Sequence, residues 1–159
     1  MFSTAMRKSI VALMLCLLMA GVATAQDTGV VTKPSAHSVV ETLDRLEEAS
    51  KAKGFMIFTR LDHAEAAEKV GLKMPPSRLL VFGSPKLGTL SFLKWPTVAL
   101  DMPLKALVWN DAQGKTWVTY NSAQYVADTL YPRHGATFPE EAKSGLDRAL
   151  REAVETATK

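Results

Sequence analysis

The sequence predicts an α+β domain in which helices pack on one face of an antiparallel sheet. Short runs rich in aromatic and branched residues follow one another through short turns, and strands joined in this way must be antiparallel. Segments with apolar residues at helical spacing stand before, between and after these runs. The predicted order is helix, strand, helix, about four strands and two helices, so the apolar stripes of the helices can be buried on one face of the sheet.

The first 25 residues have the layout of a cleavable secretory signal. Arg7 and Lys8 begin the segment, an apolar run covers residues 10–22, and residues 23–25 (Ala-Thr-Ala) form a small-residue cleavage pattern. The apolar run is too short for a bilayer-spanning helix, which needs about 20 residues. An uncleaved N-terminal anchor is the alternative. We therefore expect a periplasmic or secreted protein with no membrane span after processing.

Composition narrows the function classes further. The one cysteine, Cys16, lies inside the predicted signal, so disulfides, thiolate metal sites and thiol-linked haem are not expected in the mature chain. The formal net charge is +3, and two basic residues leave with the signal. Lysine and arginine form no basic run, and no nucleic-acid-binding motif is present. We expect no nucleic-acid partner.

The N-terminal part of the mature chain is predicted to be a linker followed by a helix. Residues 26–36 show no periodicity and carry Gly and Pro, as linkers do. A single domain is expected over residues 37–159. Ser38 and Glu41 form a capping box that begins a helix over residues 39–53.

The next elements alternate strand and helix. Residues 55–61 form a short aromatic and branched run that predicts a strand. Asp62 and Glu65 make a second capping box, which predicts a short helix ending near residue 70. Residues 78–82 predict a buried strand.

Residues 86–97 are predicted to be a long apolar loop, a composition typical of a lid or an interface. Leu90, Phe92 and Trp95 are its candidate contacts with a second copy of the chain or with another protein. Residues 98–103 are expected to form an edge strand that ends at a proline.

The C-terminal third predicts a hairpin followed by two helices. The hairpin joins residues 104–111 to residues 115–120, a helix runs from about residue 121 to residue 130, and the last helix opens at Pro139. Residues 133–135 are expected to form an exposed turn.

Several motifs, taken in order, resemble the domain-of-unknown-function family numbered 302. They are residues 62–67 (DHAEAA), 81–86 (VFGSPK), 88–89 (GT), 100–109 (LDMPLKALVW), 117–121 (WVTYN) and 133–135 (RHG). The resemblance covers roughly residues 54–135. It implies a β-α-β4-α core like a half-repeat of the TATA-binding protein, but it implies no DNA function and no particular activity.

Two residues are candidates for an acid–base pair. His63 lies in the first turn of a helix, where the helix dipole disfavours the charged imidazole, so it could act as a base. Asp101 lies in an apolar run and needs a partner, for which Lys105 and Lys86 are candidates. The alternative for both residues is structural, as an exposed histidine beside a helix cap and as a structural salt bridge.

A small anion is the other ligand that the sequence suggests. Residues 83–89 offer backbone amides, hydroxyls and a lysine, although the P-loop spacing is absent. No metal-ligand spacing occurs, and neither a metal nor a cofactor is predicted. Without a catalytic signature, the leading hypothesis is a non-catalytic exported module that binds a small anion or a protein partner and forms a homodimer. The alternative is a periplasmic enzyme that uses His63 and Asp101. The candidate ligand-binding residues are Asp62, His63, Ser84, Lys86, Asp101, Lys105 and His134.

Overall fold

The computed structural model describes residues 28–159, so the predicted signal at residues 1–25 lies outside the described residues. The strands are β1 (Val30–Pro34), β2 (Met56–Asp62), β3 (Ser77–Gly83), β4 (Leu104–Asn110) and β5 (Thr116–Asn121). The helices are α1 (Val39–Ala52), α2 (His63–Glu68), α3 (Pro85–Lys94), α4 (Ala123–Tyr125) and α5 (Glu140–Thr158). A π-helical turn at Val126–Leu130 extends α4, and 3-10 turns occupy Pro96–Leu100 and Pro132–His134.

The five strands form one antiparallel sheet in the order β1-β5-β4-β3-β2. One face of this sheet packs against α1 and α5, which confirms the predicted α+β class. Alternate residues of the three central strands point into this contact, as the two-residue period of a strand requires. The main core consists chiefly of Leu43, Leu46, Leu80, Phe82, Ala106, Val108, Val118, Tyr120, Leu150 and Val154.

A second cluster of apolar residues lies beside the main core. Its buried members come from the 3-10 turn at Pro96–Leu100, from the π-helical turn and from the segment after it. Leu104 and Leu146 pack against both the main core and this cluster, so they join the two. The buried residues of the second cluster are Val98, Val126, Leu130, Tyr131 and Ala136.

Helix caps fall where the sequence predicts them. The Ser38 hydroxyl accepts a hydrogen bond from the Glu41 N–H at 3.2 Å, and the Asp62 carboxylate accepts one from the Glu65 N–H at 3.0 Å. These bonds satisfy amides that have no partner within a helix. The predicted hairpin is also confirmed as β4 and β5.

The predicted linker at residues 26–36 is wrong for most of its described part. Residues 30–34 form β1, whose five residues pair with β5. The segment carries little strand periodicity of its own, so its pairing with a hairpin strand determines its conformation. Pro34 stands at the end of this edge strand, where the missing N–H costs no ladder bond.

Two further predictions in the middle of the chain are wrong. Residues 86–97 are mostly helix α3 and not a loop, because Ser84 caps it and Pro85 occupies its first turn. Residues 98–103 begin in a 3-10 turn and not in an edge strand, with Val98 buried. Three strands therefore follow α2, one fewer than the β-α-β4-α order requires.

Candidate functional site

A cavity of about 540 Å³, partly open to solvent, lies between α3, the C-terminal end of α1 and α5. Five segments form its wall. They are residues 53–58 from the end of α1 into β2, residues 83–92 from the end of β3 into α3, residues 102–104 at the start of β4, residues 126–138 from the π-helical turn onward, and residues 142–149 of α5. The cavity therefore lies at the junction between the main core and the second cluster. Leu104 and Leu146, the residues that join these two, both line it.

The lining of the cavity is mostly apolar and rich in aromatic rings. Tyr131 and Phe138 meet edge to face with ring centroids 4.8 Å apart, on the side of the second cluster. Phe55, in contrast, packs against Phe82 of the main core with centroids 5.3 Å apart. The aromatic lining residues are Phe55, Phe58, Phe92, Tyr131 and Phe138, and the aliphatic and thioether side chains come from Leu87, Met102, Leu104, Val126, Leu146 and the prolines 85 and 103.

Few polar side chains reach the cavity wall. The Ser84 hydroxyl accepts a hydrogen bond from the Leu87 N–H at 3.4 Å, and the Tyr131 hydroxyl donates to the Ser91 hydroxyl at 3.1 Å. Among the described residues that line the cavity, Lys53 alone carries a charged side chain. Its ammonium pairs with the Glu152 carboxylate on α5.

A glycine on α5 leaves part of the cavity open. A Cβ atom at Gly145 would meet no atom within 4 Å, and its backbone is helical. A Cβ at Gly83 would approach Pro103 at 3.2 Å, so that wall is already tight. The cavity thus has space beside α5 into which a larger side chain at residue 145 could project.

Asp62 and His63 lie at the end of β2 and the start of α2. The Glu65 N–H donates to Asp62, and the Arg78 guanidinium donates to it at 2.8 Å. The Glu65 amide first, and then Arg78, lower the pKa of the Asp62 carboxyl. Asp62 is therefore an ionised cap and ion-pair partner, and His63 beside it is exposed.

Asp101 lies at the other end of the sheet, in contact with His134. Its carboxylate is 2.7 Å from the His134 Nε2 and 3.3 Å from the Arg133 guanidinium. The His134 side chain is only 7% exposed, so the prediction of an exposed turn at residues 133–135 is wrong for this residue. Lys105 was expected to pair with the Asp101 carboxylate, but its ammonium donates to the backbone oxygens of Asp101 and Pro103.

The strand register separates His63 from Asp101. Asp62 stands in one cross-strand row with Arg78 and Val108, whereas the row of Leu104 lies four residues away along β4. At roughly 3.4 Å per residue these two rows are about 14 Å apart. Asp101 precedes Leu104 in the chain and lies on the far side of the Leu104 row from Asp62. The structure does not form the predicted acid–base pair.

The remaining predicted ligand-binding residues do not converge either. Ser84 lines the cavity, whereas Lys86 in the first turn of α3 is exposed. No group of three or more potential metal-ligating side chains occurs among residues 28–159.

The predicted contact residues of the 86–97 segment divide into two sets. Phe92 and Trp95 are half-buried and pack against the second cluster. Leu90 is 61% exposed, and Leu87 and Leu93 at helical spacing on either side of it are exposed as well. The outward surface of α3 therefore carries Leu90 and Leu93, whereas Leu87 also lines the cavity and the two aromatic residues face inward.

The fold and the cavity define a small α+β domain with one open sheet. The chain belongs to the family described as "Domain of unknown function DUF302", whose model matches residues 31–153. A crystal structure of an uncharacterized conserved DUF302 protein from Bacillus stearothermophilus is similar with a TM-score of 0.67 and 20% identity, over 82% of this chain and 98% of that one. At this identity the likeness shows the fold alone.

Curated relatives are similar over part of their length. The chain is 43% identical over 101 residues to "Fluoride-specific ion channel FluC 1" of Brucella suis, which covers 64% of this chain and 40% of that protein. The protein of the same name from Brucella abortus is 43% identical over 101 residues, covering 37% of its length. The chain thus spans about two fifths of these relatives. In the part of the chain that the structure describes, no helix is long and apolar enough to cross a membrane.

Sequence reasoning missed the cavity because its wall is assembled from five distant segments. Two signals were present. The apolar residues between 87 and 95 are one of them, because they give α3 an inward face. Gly145 interrupts an otherwise apolar helical face, which indicates a place where a neighbour is absent or very close.

Proposed function

We propose that this chain is a binding domain that holds an apolar or amphipathic small molecule in the cavity between α3 and α5. The observation that carries the proposal is the cavity itself. Its volume of about 540 Å³ falls within the roughly 300–1,000 Å³ typical of small-molecule sites, which are mostly apolar with a few placed polar groups.

A binding role is favoured over acid–base catalysis because the polar candidates are engaged in structural contacts. Asp62 caps a helix and pairs with Arg78, while Asp101 pairs with His134. Neither carboxylate lines the cavity.

The binding proposal can be tested with the neutral fluorophore N-phenyl-1-naphthylamine and the variant Gly145→Leu. The leucine projects into the open space beside α5, and replacing a helical glycine favours the helix by up to about 1 kcal/mol. The wild-type protein should bind the probe saturably at one site. Gly145→Leu should bind it at least about tenfold more weakly without loss of thermal stability.

Ser144→Leu is the matched control, because residue 144 is exposed on the same helix. It adds a leucine at the neighbouring position but outside the cavity, so probe affinity should stay at the wild-type level. If Gly145→Leu binds the probe as tightly as the wild type does, the ligand is not in this cavity.

We further propose that the protein works in the periplasm or outside the cell. The layout of residues 1–25 supports this proposal, because it is typical of a cleavable secretory signal. Fractionation with N-terminal sequencing should find a mature chain that begins at Gln26. A folded, unprocessed species in the cytoplasm would contradict this proposal.

The exposed leucines of α3 support a homodimer as the state in which the domain works. Leu90 and Leu93 are exposed on α3 outside the cavity wall, and an apolar surface of this kind can pair with itself across a two-fold axis. Light scattering should give twice the chain mass for the wild type and the monomer mass for Leu90→Glu. A monomeric wild type at micromolar concentration would remove this part of the proposal.

Fluoride is a second candidate ligand, because the Brucella relatives that match this chain over 101 residues are named fluoride-specific ion channels. A ¹⁹F NMR titration of sodium fluoride with the protein tests it. Broadening of the fluoride line that saturates with protein concentration would support fluoride binding. A line of unchanged width at millimolar protein would eliminate it.

A further inference from the structure

We propose that the ligand of the cavity is an amphiphile with a single carboxylate, and that Lys53 at the rim is the residue that recognises this acid group. This inference rests on the proposed function and names the ligand class of the same site. It assigns the apolar part of the ligand to the aromatic interior and the charged end to the cavity mouth.

The position of Lys53 follows from how α1 ends. Lys53 is the C-cap of α1, and its N–H donates to the carbonyls of Ala49 and Ser50. Its side chain lines the cavity and is about one third exposed, which places Lys53 at the boundary between the cavity and solvent. A long lysine side chain in such a place lines an apolar wall with its methylenes and keeps its charge in water.

The charge distribution of the lining favours one acid group at one end. Every other described residue of the wall has an uncharged side chain, so a charged group elsewhere in the cavity would be desolvated without a partner. A carboxylate at the rim beside Lys53 remains partly hydrated and gains a charge-assisted hydrogen bond.

The ion pair of Lys53 with Glu152 does not prevent Lys53 from binding a ligand carboxylate. Glu152 is about half exposed, and exposed ion pairs contribute about 0–1 kcal/mol. Glu152 also lies near other cations, because Lys53 first, and then Arg148 and Arg151 more weakly, lower its pKa. Glu152 can therefore leave Lys53 for a ligand carboxylate and keep cationic neighbours on its own helix.

The test compares dodecanoate with dodecanol, both below micellar concentration, as competitors of N-phenyl-1-naphthylamine. The two differ only in the end group, so their ratio of affinities reports recognition of the carboxylate. The wild type should prefer dodecanoate by about tenfold, as a hydrogen bond to a charged group permits. Lys53→Met should bring this ratio close to one, because dodecanoate loses its charged partner and dodecanol has none to lose.

Two further variants complete the design. Lys51→Met is the matched control, because Lys51 is an exposed lysine of α1 outside the cavity wall, and it should keep the wild-type ratio. Glu152→Gln should raise the affinity for dodecanoate about twofold to fivefold, because Lys53 loses its competing partner.

The outcomes separate the inference from the proposed function. Equal affinities of dodecanoate and dodecanol, or equal effects of Lys53→Met and Lys51→Met, would overturn the role of Lys53 and leave an apolar ligand site. Failure of the wild type to bind the fluorophore and both competitors would overturn the proposed function, and this inference with it.

Discussion

The main core and the second cluster bury their apolar residues in different ways. In the main core, α1 and α5 close over alternate residues of the sheet, and Leu43, Leu46 and Leu80 are essentially inaccessible. In the second cluster, α3, a 3-10 turn and the π-helical turn pack around fewer buried residues and leave a cavity beside them, and α3 itself has no buried residue. Stability therefore resides mainly in the first region, and the second is the one able to accept a ligand.

The largest expected effect is on the free energy of unfolding, which the main core should determine more than α3 does. Leu46→Ala should lower the free energy of unfolding by about 2–5 kcal/mol, because it removes a fully buried side chain and leaves a void. Leu90→Ala on the exposed side of α3 should change it by less than about 0.5 kcal/mol. Urea unfolding curves of both variants measure the difference. Equal losses would mean that α3 contributes as much to the stable core as α1 does.

The second effect concerns the contact between Asp101, at the end of one 3-10 turn, and His134, at the end of the other. His134→Ala should cost about 1–3 kcal/mol, because the largely buried Asp101 carboxylate loses the imidazole 2.7 Å away. Arg133→Ala is the control, since its guanidinium is more than half exposed and should matter by less than about 0.5 kcal/mol.

A double-mutant cycle with Asp101→Ala and His134→Ala then isolates the pair. We expect a coupling free energy of at least about 1 kcal/mol from the unfolding curves. Additive effects of the two substitutions would show that the two side chains are near each other without stabilising each other.

A third effect has a defined pH dependence. Asp62→Ala should cost about 1 kcal/mol at neutral pH, because the cap of α2 and the pair with Arg78 are both lost. The folded-state pKa of Asp62 is lowered, so the unfolded chain binds more protons in acid. The contribution is fully present above the unfolded pKa of about 3.9 and is lost as pH falls through the lower folded value.

Asp62→Asn separates the two parts of this effect. Asparagine caps a helix about as well as aspartate does but carries no charge. Its stability should therefore depend less on pH below about 4 than that of the wild type, with most of the cap retained. Identical acid unfolding of the two proteins would contradict the lowered pKa of Asp62, which the Glu65 amide and then Arg78 cause.

The smallest effect is a gain in stability. The Ser50 hydroxyl is buried in the main core and has no hydrogen-bond partner among the described residues. Ser50→Ala removes a desolvated polar atom from a helix and should raise the free energy of unfolding by about 0.5–1 kcal/mol. A loss of stability would show that the hydroxyl is satisfied in solution.

Local signals in the sequence were sufficient for the main core and insufficient for the second cluster. Capping residues such as Ser38 and Asp62, together with helical spacing, predicted α1 and α2 with nearly correct bounds. The cap of α3 was equally present in Ser84 and Pro85, but Gly88 and the aromatic residues after it suggested a loop. Strand β1 had no local signal, because its conformation depends on β5 as a partner.

The candidate site could not be predicted from the sequence for the same reason. Asp101 was expected to need a partner, and it has one, but the partner is His134, 33 residues away in the chain. The cavity is likewise formed by segments that meet only after folding, so residues as distant as Phe55 and Phe138 share one wall. Sequence spacing identifies residues that share an element, whereas this site depends on contacts between elements.

Contacts between bound dodecanoate and the protein are the most direct test of whether the cavity between α3 and α5 holds the ligand. Intermolecular nuclear Overhauser effects report which methyl groups lie near the ligand chain. We expect contacts from the methylenes of bound dodecanoate to the methyl groups of Leu104 and Leu146, which line the cavity. Contacts to Val81 and Leu107, which lie on the opposite face of the sheet, with none to Leu104 and Leu146, would contradict it.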